Sequence, residues 1–244
     1  MDAELRPADY RAIWSDKPVL RAVYSDYYAR IRAACVDGPT LEIGGGSGNM
    51  TDFARDVVST DIVPAAWLDS VCDAQALPFA DASFANIVMV DVLHHIARPA
   101  RFLTDAERVL RPGGRVIMVE PGITPLSSIF FRLFHDEPVD MGEDPLDPSP
   151  PPAKDPFEGN QALPTRLFGR DRQRLAAAHP NLQLRQRQWL SLFAYPLSGG
   201  FRSWSALPAA LAPALIGFEN LVSPVLGPLM GFRLFAVLEK TGEA

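Results

Sequence analysis

Several features that mark other protein classes are scarce in this chain of 244 residues. Two cysteines, Cys35 and Cys72, are too few for a disulfide framework or a zinc site, and they fit a reducing, cytoplasmic setting. Basic residues number 23 against 29 acidic ones. The net charge of −6 argues against nucleic acid as the main partner, because phosphate binding needs a basic face. The first residues contain no basic region followed by an apolar run, so we predict no signal peptide.

Long apolar runs are also lacking. Segment 189–232 contains only two charged residues, Arg202 and Glu219, but its longest uncharged part, 203–218, is 16 residues long and includes two prolines. A membrane-spanning helix needs roughly 20 apolar residues, so we predict no transmembrane span. We expect instead a packed helical insert at 191–231; a hydrophobic substrate pocket and contact with a membrane surface stay open.

The pattern along the chain predicts an α/β fold. Apolar residues make up 48% of the chain, and short apolar runs alternate with helical stretches in its first half, which indicates a parallel sheet with helices on both faces. Strands are predicted at 40–43, 57–60, 70–72, 84–90, 115–120, 182–190 and 233–238. Helices are predicted at 10–34, divided by Pro18, and at 47–55 with Ser47 as N-cap, 99–110 and 170–178.

A glycine-rich turn follows the first predicted strand. Residues 41–48 read Leu-Glu-Ile-Gly-Gly-Gly-Ser-Gly, and Asp61 follows the second strand. Glycine lets a ligand approach the backbone, and an acid at the tip of the next strand can accept hydrogen bonds from both hydroxyls of a ribose. The turn and the acid together predict a nucleoside-containing cofactor, and NAD and S-adenosylmethionine are both compatible with them.

The spacing of the turn and three later segments favour S-adenosylmethionine. The turn reads Glu-x-Gly-x-Gly-x-Gly, without the Gly-x-Gly-x-x-Gly of dinucleotide sites. It is followed in order by Cys72-Asp-Ala-Gln-Ala-Leu-Pro-Phe, Val90-Asp-Val-Leu-His-His-Ile and Leu110-Arg-Pro-Gly-Gly-Arg-Val-Ile-Met-Val-Glu-Pro. This set resembles the motifs of class I S-adenosylmethionine-dependent methyltransferases. It covers about the first half of the chain and is most similar to the branch of quinone-biosynthesis and small-molecule methyltransferases.

The resemblance implies a fold and a cofactor site. The fold would be a Rossmann-like, doubly wound, mostly parallel seven-stranded sheet with an antiparallel last strand. Glu42 and the glycine backbone would face the methionine part of S-adenosylmethionine, Asp61 the ribose, and Asp73 the adenine amino group. The full set of implied cofactor contacts is Glu42, Gly44, Gly45, Gly46, Gly48, Asp61, Ile62, Asp73, Ala74, Asp91 and Val92. The product would be S-adenosylhomocysteine.

We predict a single methyltransferase domain over 1–244 with three functional parts. Residues 1–37 would form an N-terminal helical lid, 38–121 the cofactor-binding half, and 122–244 the acceptor-binding half. The acceptor-binding half would include a proline-rich acidic lid loop at 136–165 and the apolar insert at 191–231. The insert favours a small-molecule or lipid-linked acceptor. The sequence indicates neither the atom that receives the methyl group nor an oligomeric state.

A general base is required only if the acceptor must lose a proton. The candidates are His94 and His95 after the fourth strand, Glu120 at the open edge of the site, and His135 at the start of the acidic loop. Structural roles for these side chains compete with catalytic ones, and we predict no metal site. An NAD-type oxidoreductase and a non-catalytic cofactor-binding or interaction module are the alternative functions.

Overall fold

A seven-stranded mixed sheet forms the centre of the fold, in a computed structural model that describes residues 7–54, 56–135 and 137–242. Its strands are β1 Thr40–Ile43, β2 Val57–Asp61, β3 Ser70–Val71, β4 Phe84–Val90, β5 Leu110–Pro121, β6 Leu182–Leu190 and β7 Arg233–Lys240. Their order is β3-β2-β1-β4-β5-β7-β6, and β7 runs antiparallel to both of its neighbours. The predicted seven-stranded, mostly parallel sheet with an antiparallel last strand is confirmed.

Helices cover both faces of this sheet. They are α1 Pro7–Asp16, α2 Pro18–Ala34, α3 Pro99–Val109, α4 Pro125–Phe134, α5 Leu163–Thr165, α6 Arg172–Ala178, α7 Ala194–Ser198 and α8 Ala212–Met230. Alternate residues of β5 enter the two separate cores, Val116 and Met118 on one face and Ile117 and Val119 on the other. Such two-sided burial is typical of the central strands of a parallel sheet.

The helix predicted at 47–55 is wrong. The chain forms only a 3-10 turn at Asn49–Asp52, and no side chain caps it. Gly48 takes a left-handed conformation with φ of 75°, and the Thr51 hydroxyl donates to the carbonyl oxygen of Gly48 at 2.8 Å. Short polar side chains form such local bonds in competition with a regular helix. Arg55, the last residue of the predicted helix, lies outside the described residues.

The apolar insert is helical as predicted, but its prolines do not interrupt it. Helix α8 continues through Pro224 and Pro228, both of which lie on its exposed side. By length and composition Ala209–Met230 is therefore long and apolar enough to cross a membrane, which the sequence did not predict. Glu219 in the middle of α8 is buried against the domain, and α8 contacts β6 and α2. The helix is thus a packed part of the fold on one side.

The acidic segment after α4 is irregular as predicted, although it is not peripheral throughout. Its first residue, Asp136, lies outside the described residues. Asn160 and Gln161 at its far end are buried, and the Asn160 N–H donates to the carbonyl oxygen of His94 at 2.9 Å. This loop is therefore bonded to the turn that follows β4.

Candidate cofactor and acceptor site

The carboxyl ends of β1, β2, β4 and β5 meet at one edge of the sheet. The strand order reverses between β1 and β4, and ligands of doubly wound sheets bind in the crevice at such a point. The glycine turn leaves β1 there, and the Gly45 N–H donates to the carbonyl oxygen of Thr60 at the end of β2. The fold therefore brings the predicted glycine turn and the predicted ribose acid to one place.

Three of the four glycines are needed for packing, since a Cβ on Gly45 would also lie 2.2 Å from the Ser59 hydroxyl. Gly44 and Gly48 have φ of 74° and 75°, and a Cβ on them would lie 2.1 Å from Val92 and 2.7 Å from Trp67. Gly46 differs, because a Cβ on it would have no atom nearer than the carbonyl oxygen of Gly44 at 3.7 Å and Asp61 at 3.8 Å. The turn is thus open at Gly46, where a ligand can approach the backbone.

Asp61 and its neighbours form one wall of this opening. The Asp61 carboxylate accepts from the N–H of Gly46 and from that of Val63, both at 2.9 Å. Ile62 is 48% exposed, which suits an apolar side chain that packs on a flat ring. The N–H of Cys72 donates to the carbonyl oxygen of Asp61 at 3.0 Å and so brings the loop with Asp73 alongside. Ala74, next in the chain, is buried in this loop.

Glu42 lies beneath the turn rather than in the opening. It is 6% exposed, and its carboxylate accepts a hydrogen bond from the Ser59 hydroxyl. A Cβ on Gly45 would lie 3.1 Å from this carboxylate, so Glu42 supports the turn from below. Burial raises the pKa of Glu42 to about 7, and the bond from Ser59 only partly offsets that rise.

We expect Glu42→Gln to stabilise the protein in alkaline solution. The pKa of Glu42 rises from 4.5 to about 7 on folding, so the folded state binds a proton that the unfolded chain releases, and stability falls as pH rises through this interval. Glutamine keeps the bond from Ser59 without a charge, which should raise the free energy of unfolding by roughly 1–3 kcal/mol at pH 8. Urea unfolding at pH 8 and pH 4 measures the gain.

At pH 4 the gain should vanish, because Glu42 is then protonated in both states. Asp81→Asn, which removes an acid that is 79% exposed, controls for the loss of one negative charge. A gain of equal size at both pH values would contradict the assignment to Glu42 ionisation.

Trp67 is a site residue that sequence reasoning missed. Its indole N–H donates to the carbonyl oxygen of Gly46 at 2.8 Å, and its ring covers Gly48. The guanidinium of Arg11 on α1 lies 4.5 Å from the centre of this ring. The sequence signal for this residue was a tryptophan in the short connection after β2. The contact between Arg11 and Trp67 places α1 next to the opening.

The end of β4 carries an ion pair between a buried arginine and a partly buried aspartate. Asp91 has a left-handed conformation with φ of 59°, and such strain is common at functional sites. Its carboxylate lies 2.7 Å from the guanidinium of Arg233 and accepts from the Tyr24 hydroxyl at 2.8 Å. Arg233 stacks on the Tyr195 ring at 3.9 Å, and its Nε has no hydrogen-bond partner in the described residues. Arg233 and Tyr195 lie far along the chain from Asp91, and neither was predicted as a cofactor-binding or catalytic residue.

Beside this pair, His94 bridges two carboxylates. Its Nδ1 lies 2.8 Å from Glu120 and its Nε2 lies 3.4 Å from Glu137. Glu120 is fully buried and also accepts from the N–H groups of Val92 and Leu93 at 2.9 and 2.8 Å. We call His94, Glu120 and Glu137 the latch, because it joins β5 and the acidic loop to the turn after β4.

Charge on the latch follows from burial and pairing. Burial lowers the pKa of His94, but the bonds to Glu120 and Glu137 outweigh it and raise the pKa to about 9. Burial raises the pKa of Glu137, yet pairing with His94 brings it to about 2. The neighbouring His95 has a pKa of about 4, mainly through burial, and burial also lowers the pKa of His135. At neutral pH the latch is therefore an imidazolium between two carboxylates.

An apolar groove lies between α4 and α7. Its volume is about 310 Å³. All of its lining residues are apolar: Leu126, Ile129, Phe130, Phe134, Leu192, Phe193, Pro196, Leu197 and Phe232. Phe232 immediately precedes Arg233, so the groove begins next to the ion pair at the end of β4.

Sequence comparisons agree with these motifs. A family model described as a methyltransferase domain matches residues 41–118. A ubiquinone/menaquinone biosynthesis C-methyltransferase of Geotalea daltonii is 30% identical over 89 residues, which cover 36% of this chain and 37% of that protein. Residues 41–118 are thus similar to the methyltransferase domain that the motifs predict. A demethylmenaquinone methyltransferase of Tropheryma whipplei is 50% identical over 44 residues, 18% of each chain. The chain thus spans less than two fifths of the length of these curated relatives.

Solved structures show the same fold. A methyltransferase of Thermotoga maritima, described as a possible histamine N-methyltransferase, has a TM-score of 0.55 and 16% identity over 91% of this chain and 92% of its own. The [4+2]-cyclase SpnF has a TM-score of 0.53 and 16% identity over 91% and 82% of the two chains. Because a cyclase shares the fold, the fold alone does not define the reaction of this protein.

The structure corrects one expectation for the catalytic residues. Glu120 does not lie at an open edge, because it is fully buried and bonded to His94 and to two backbone N–H groups. His94, protonated and held on both sides, is unsuited to remove a proton. His95 and His135 are neutral at pH 7 by the direction of their pKa shifts, so they stay candidates for a base.

Of the described residues, His94, His95 and Glu137 are grouped closely enough to hold a metal ion.

Proposed function

We propose that this protein transfers a methyl group from S-adenosylmethionine to an apolar small molecule or a lipid-linked acceptor. S-adenosylmethionine as the methyl donor is supported by the opening at Gly46, which Asp61 faces and the exposed Ile62 borders. When bound, the sulfonium of S-adenosylmethionine supplies an activated methyl group, which passes to the acceptor by in-line displacement. Because the chain covers only part of its curated relatives, the activity of the whole protein is our proposal.

The residues at the opening fit this cofactor. The Gly46 backbone and Asp61 would hold the methionine and ribose parts, Ile62 and Ala74 the adenine ring, and Asp73 its amino group. Glu42 would act through the turn that it supports. The side chain of Val92, packed against Gly44, and the Asp91 carboxylate would border the reacting methyl group.

The groove between α4 and α7 supports an acceptor that has an apolar part. A cavity lined only by apolar side chains binds the apolar part of a molecule through the hydrophobic effect. Segment 1–37 and the loop at 136–165 would cover the two ends of the site and exclude water. Holding donor and acceptor in the reacting geometry can contribute roughly 7–11 kcal/mol to the lowering of the barrier. We place the reaction in the cytoplasm, consistent with the two free cysteines.

Titration calorimetry tests which cofactor the protein binds. We expect S-adenosylhomocysteine to bind with one site per chain and NAD to give no heat of binding. Binding of NAD alone would favour an oxidoreductase. Absence of binding by both, from a protein that unfolds cooperatively, would favour a non-catalytic interaction module.

A further inference from the structure

Two neighbouring helices present apolar side chains to solvent. On α8, Leu221, Val225 and Leu229 are 78%, 76% and 58% exposed, and on α4, Ile129 and Leu133 are 60% and 68% exposed. Residues four positions apart lie on the same side of a helix, so each set forms a stripe. Because α4 and α8 contact each other, the two stripes belong to one surface, which we call the apolar face.

Helix α8 is unusually apolar for an exposed helix. Segment Ala209–Met230 has a mean hydropathy of 1.5 in its most apolar window, and only 17% of that window is buried. A helix on the surface of a globular protein normally has a polar outer side. The composition is that of a helix in contact with lipid.

Glu219 excludes a transmembrane placement while the domain is folded. It lies near the middle of α8, is 2% exposed, and accepts hydrogen bonds from the backbone N–H groups of Phe193 and Ala194. Crossing a bilayer would break these bonds and move a carboxylate into hydrocarbon, which is strongly unfavourable. An apolar helix that is fixed to its domain in this way can enter a membrane only in the plane of the interface.

The charges around the apolar face identify the kind of surface that it fits. Segments 125–134 and 192–232, both fully described, contain three charged residues: Arg132, Arg202 and Glu219. Glu219 is buried, so the exposed charges are the two arginines, in a chain whose net charge is −6. Basic side chains beside an apolar surface match the anionic head groups of a bilayer. A second copy of the same face would offer no acidic partner to either arginine.

We propose that the apolar face docks on the surface of an anionic lipid bilayer. The groove between α4 and α7 shares Ile129 with this face, and its lining residue Phe134 is also 58% exposed, so the groove opens towards the membrane. A lipid-linked acceptor can then pass from the bilayer into the groove without crossing water. Docking itself is independent of methyl transfer, whereas this route for the acceptor rests on the proposed function.

Vesicle flotation without cofactor tests the docking. We expect the protein to float with vesicles of phosphatidylcholine and phosphatidylglycerol and much less with phosphatidylcholine alone. Val225→Asp should reduce the floating fraction by roughly tenfold or more, because it places a charge in the membrane interface. Val71→Asp is the matched control, since Val71 is 51% exposed on β3, away from the face, and should float like the parent.

The double variant Arg132→Gln, Arg202→Gln tests the charges. It should lower binding to the anionic vesicles and leave binding to phosphatidylcholine unchanged. Failure of the parent protein to float, or an equal loss in Val225→Asp and Val71→Asp, would overturn the proposal. The proposal would also be overturned if the parent protein does not float and light scattering shows a dimer that Leu221→Asp dissociates. None of these outcomes depends on donor binding, so failure here is distinct from failure of the proposed function.

Discussion

Gly46→Val should reduce the affinity for S-adenosylhomocysteine by roughly 100-fold or more, about 2.7 kcal/mol or more in binding free energy. The added Cβ meets no protein atom within 3.7 Å, so the cost to packing is small. The valine side chain instead projects into the space between the turn and Asp61, where the cofactor must approach the backbone. Titration calorimetry on the purified variant measures the effect.

Gly113→Val provides the matched control. Gly113 has a φ of 76°, and a Cβ on it would meet nothing within 4 Å, so valine introduces backbone strain away from the site. We expect this variant to lose some stability, as Gly46→Val also does, but to bind S-adenosylhomocysteine like the parent. If Gly46→Val unfolds cooperatively and binds with the affinity of the parent, the cofactor does not lie on this turn.

His94→Gln should lower the free energy of unfolding by about 3–5 kcal/mol at pH 6, since removal of one partner leaves a buried charge uncompensated. The charge left behind is that of Glu120, which is fully buried. Adding Glu120→Gln to this variant should recover part of the loss, because both buried charges are then gone. Urea unfolding of the single and double variants, with His179→Gln as a control, measures these effects. His179 is also buried, but its carboxylate partner Glu107 lies 3.7 Å away and is partly exposed.

The pH dependence gives a second test of the latch. The pKa of His94 rises from 6.5 to about 9 on folding, so its contribution to stability is complete below pH 6.5 and is lost as pH rises through 9. The difference in stability between the parent and His94→Gln should therefore shrink between pH 6.5 and pH 9.5. A difference that stays constant over this range would show that His94 is neutral in the folded protein.

Elements with strong local signals could be predicted from the sequence. Strands β1, β4 and β6 have the predicted bounds, because each is an apolar or alternating run that ends at a clear turn. The division of the first helix at Pro18 is also confirmed. The predicted helix at 47–55 is wrong because its polar side chains bond locally instead. The continuity of α8 was missed because its prolines lie on the exposed side, where they do not disturb packing.

Contacts between distant parts of the chain could not be predicted. The turn and Asp61 are close in sequence and carry a recognisable pattern, so their meeting was expected. Arg233 meets Asp91 only because β7 inserts antiparallel next to β5, and no local pattern encodes that pairing. Glu120 looked accessible because it ends a strand at the ligand-binding edge. The turn after β4 covers it and supplies two N–H donors and an imidazolium, a result of tertiary packing.

Methyl transfer from S-adenosylmethionine to an acceptor with an apolar part can be measured with a labelled donor. The protein is incubated with methyl-labelled S-adenosylmethionine and a bacterial lipid extract, and the mixture is then partitioned into organic solvent. We predict label in the organic phase with the parent protein and with Gly113→Val, and none with Gly46→Val. A preparation that binds S-adenosylhomocysteine but leaves all label on the donor, with every fraction of the extract, would contradict methyl transfer to such an acceptor.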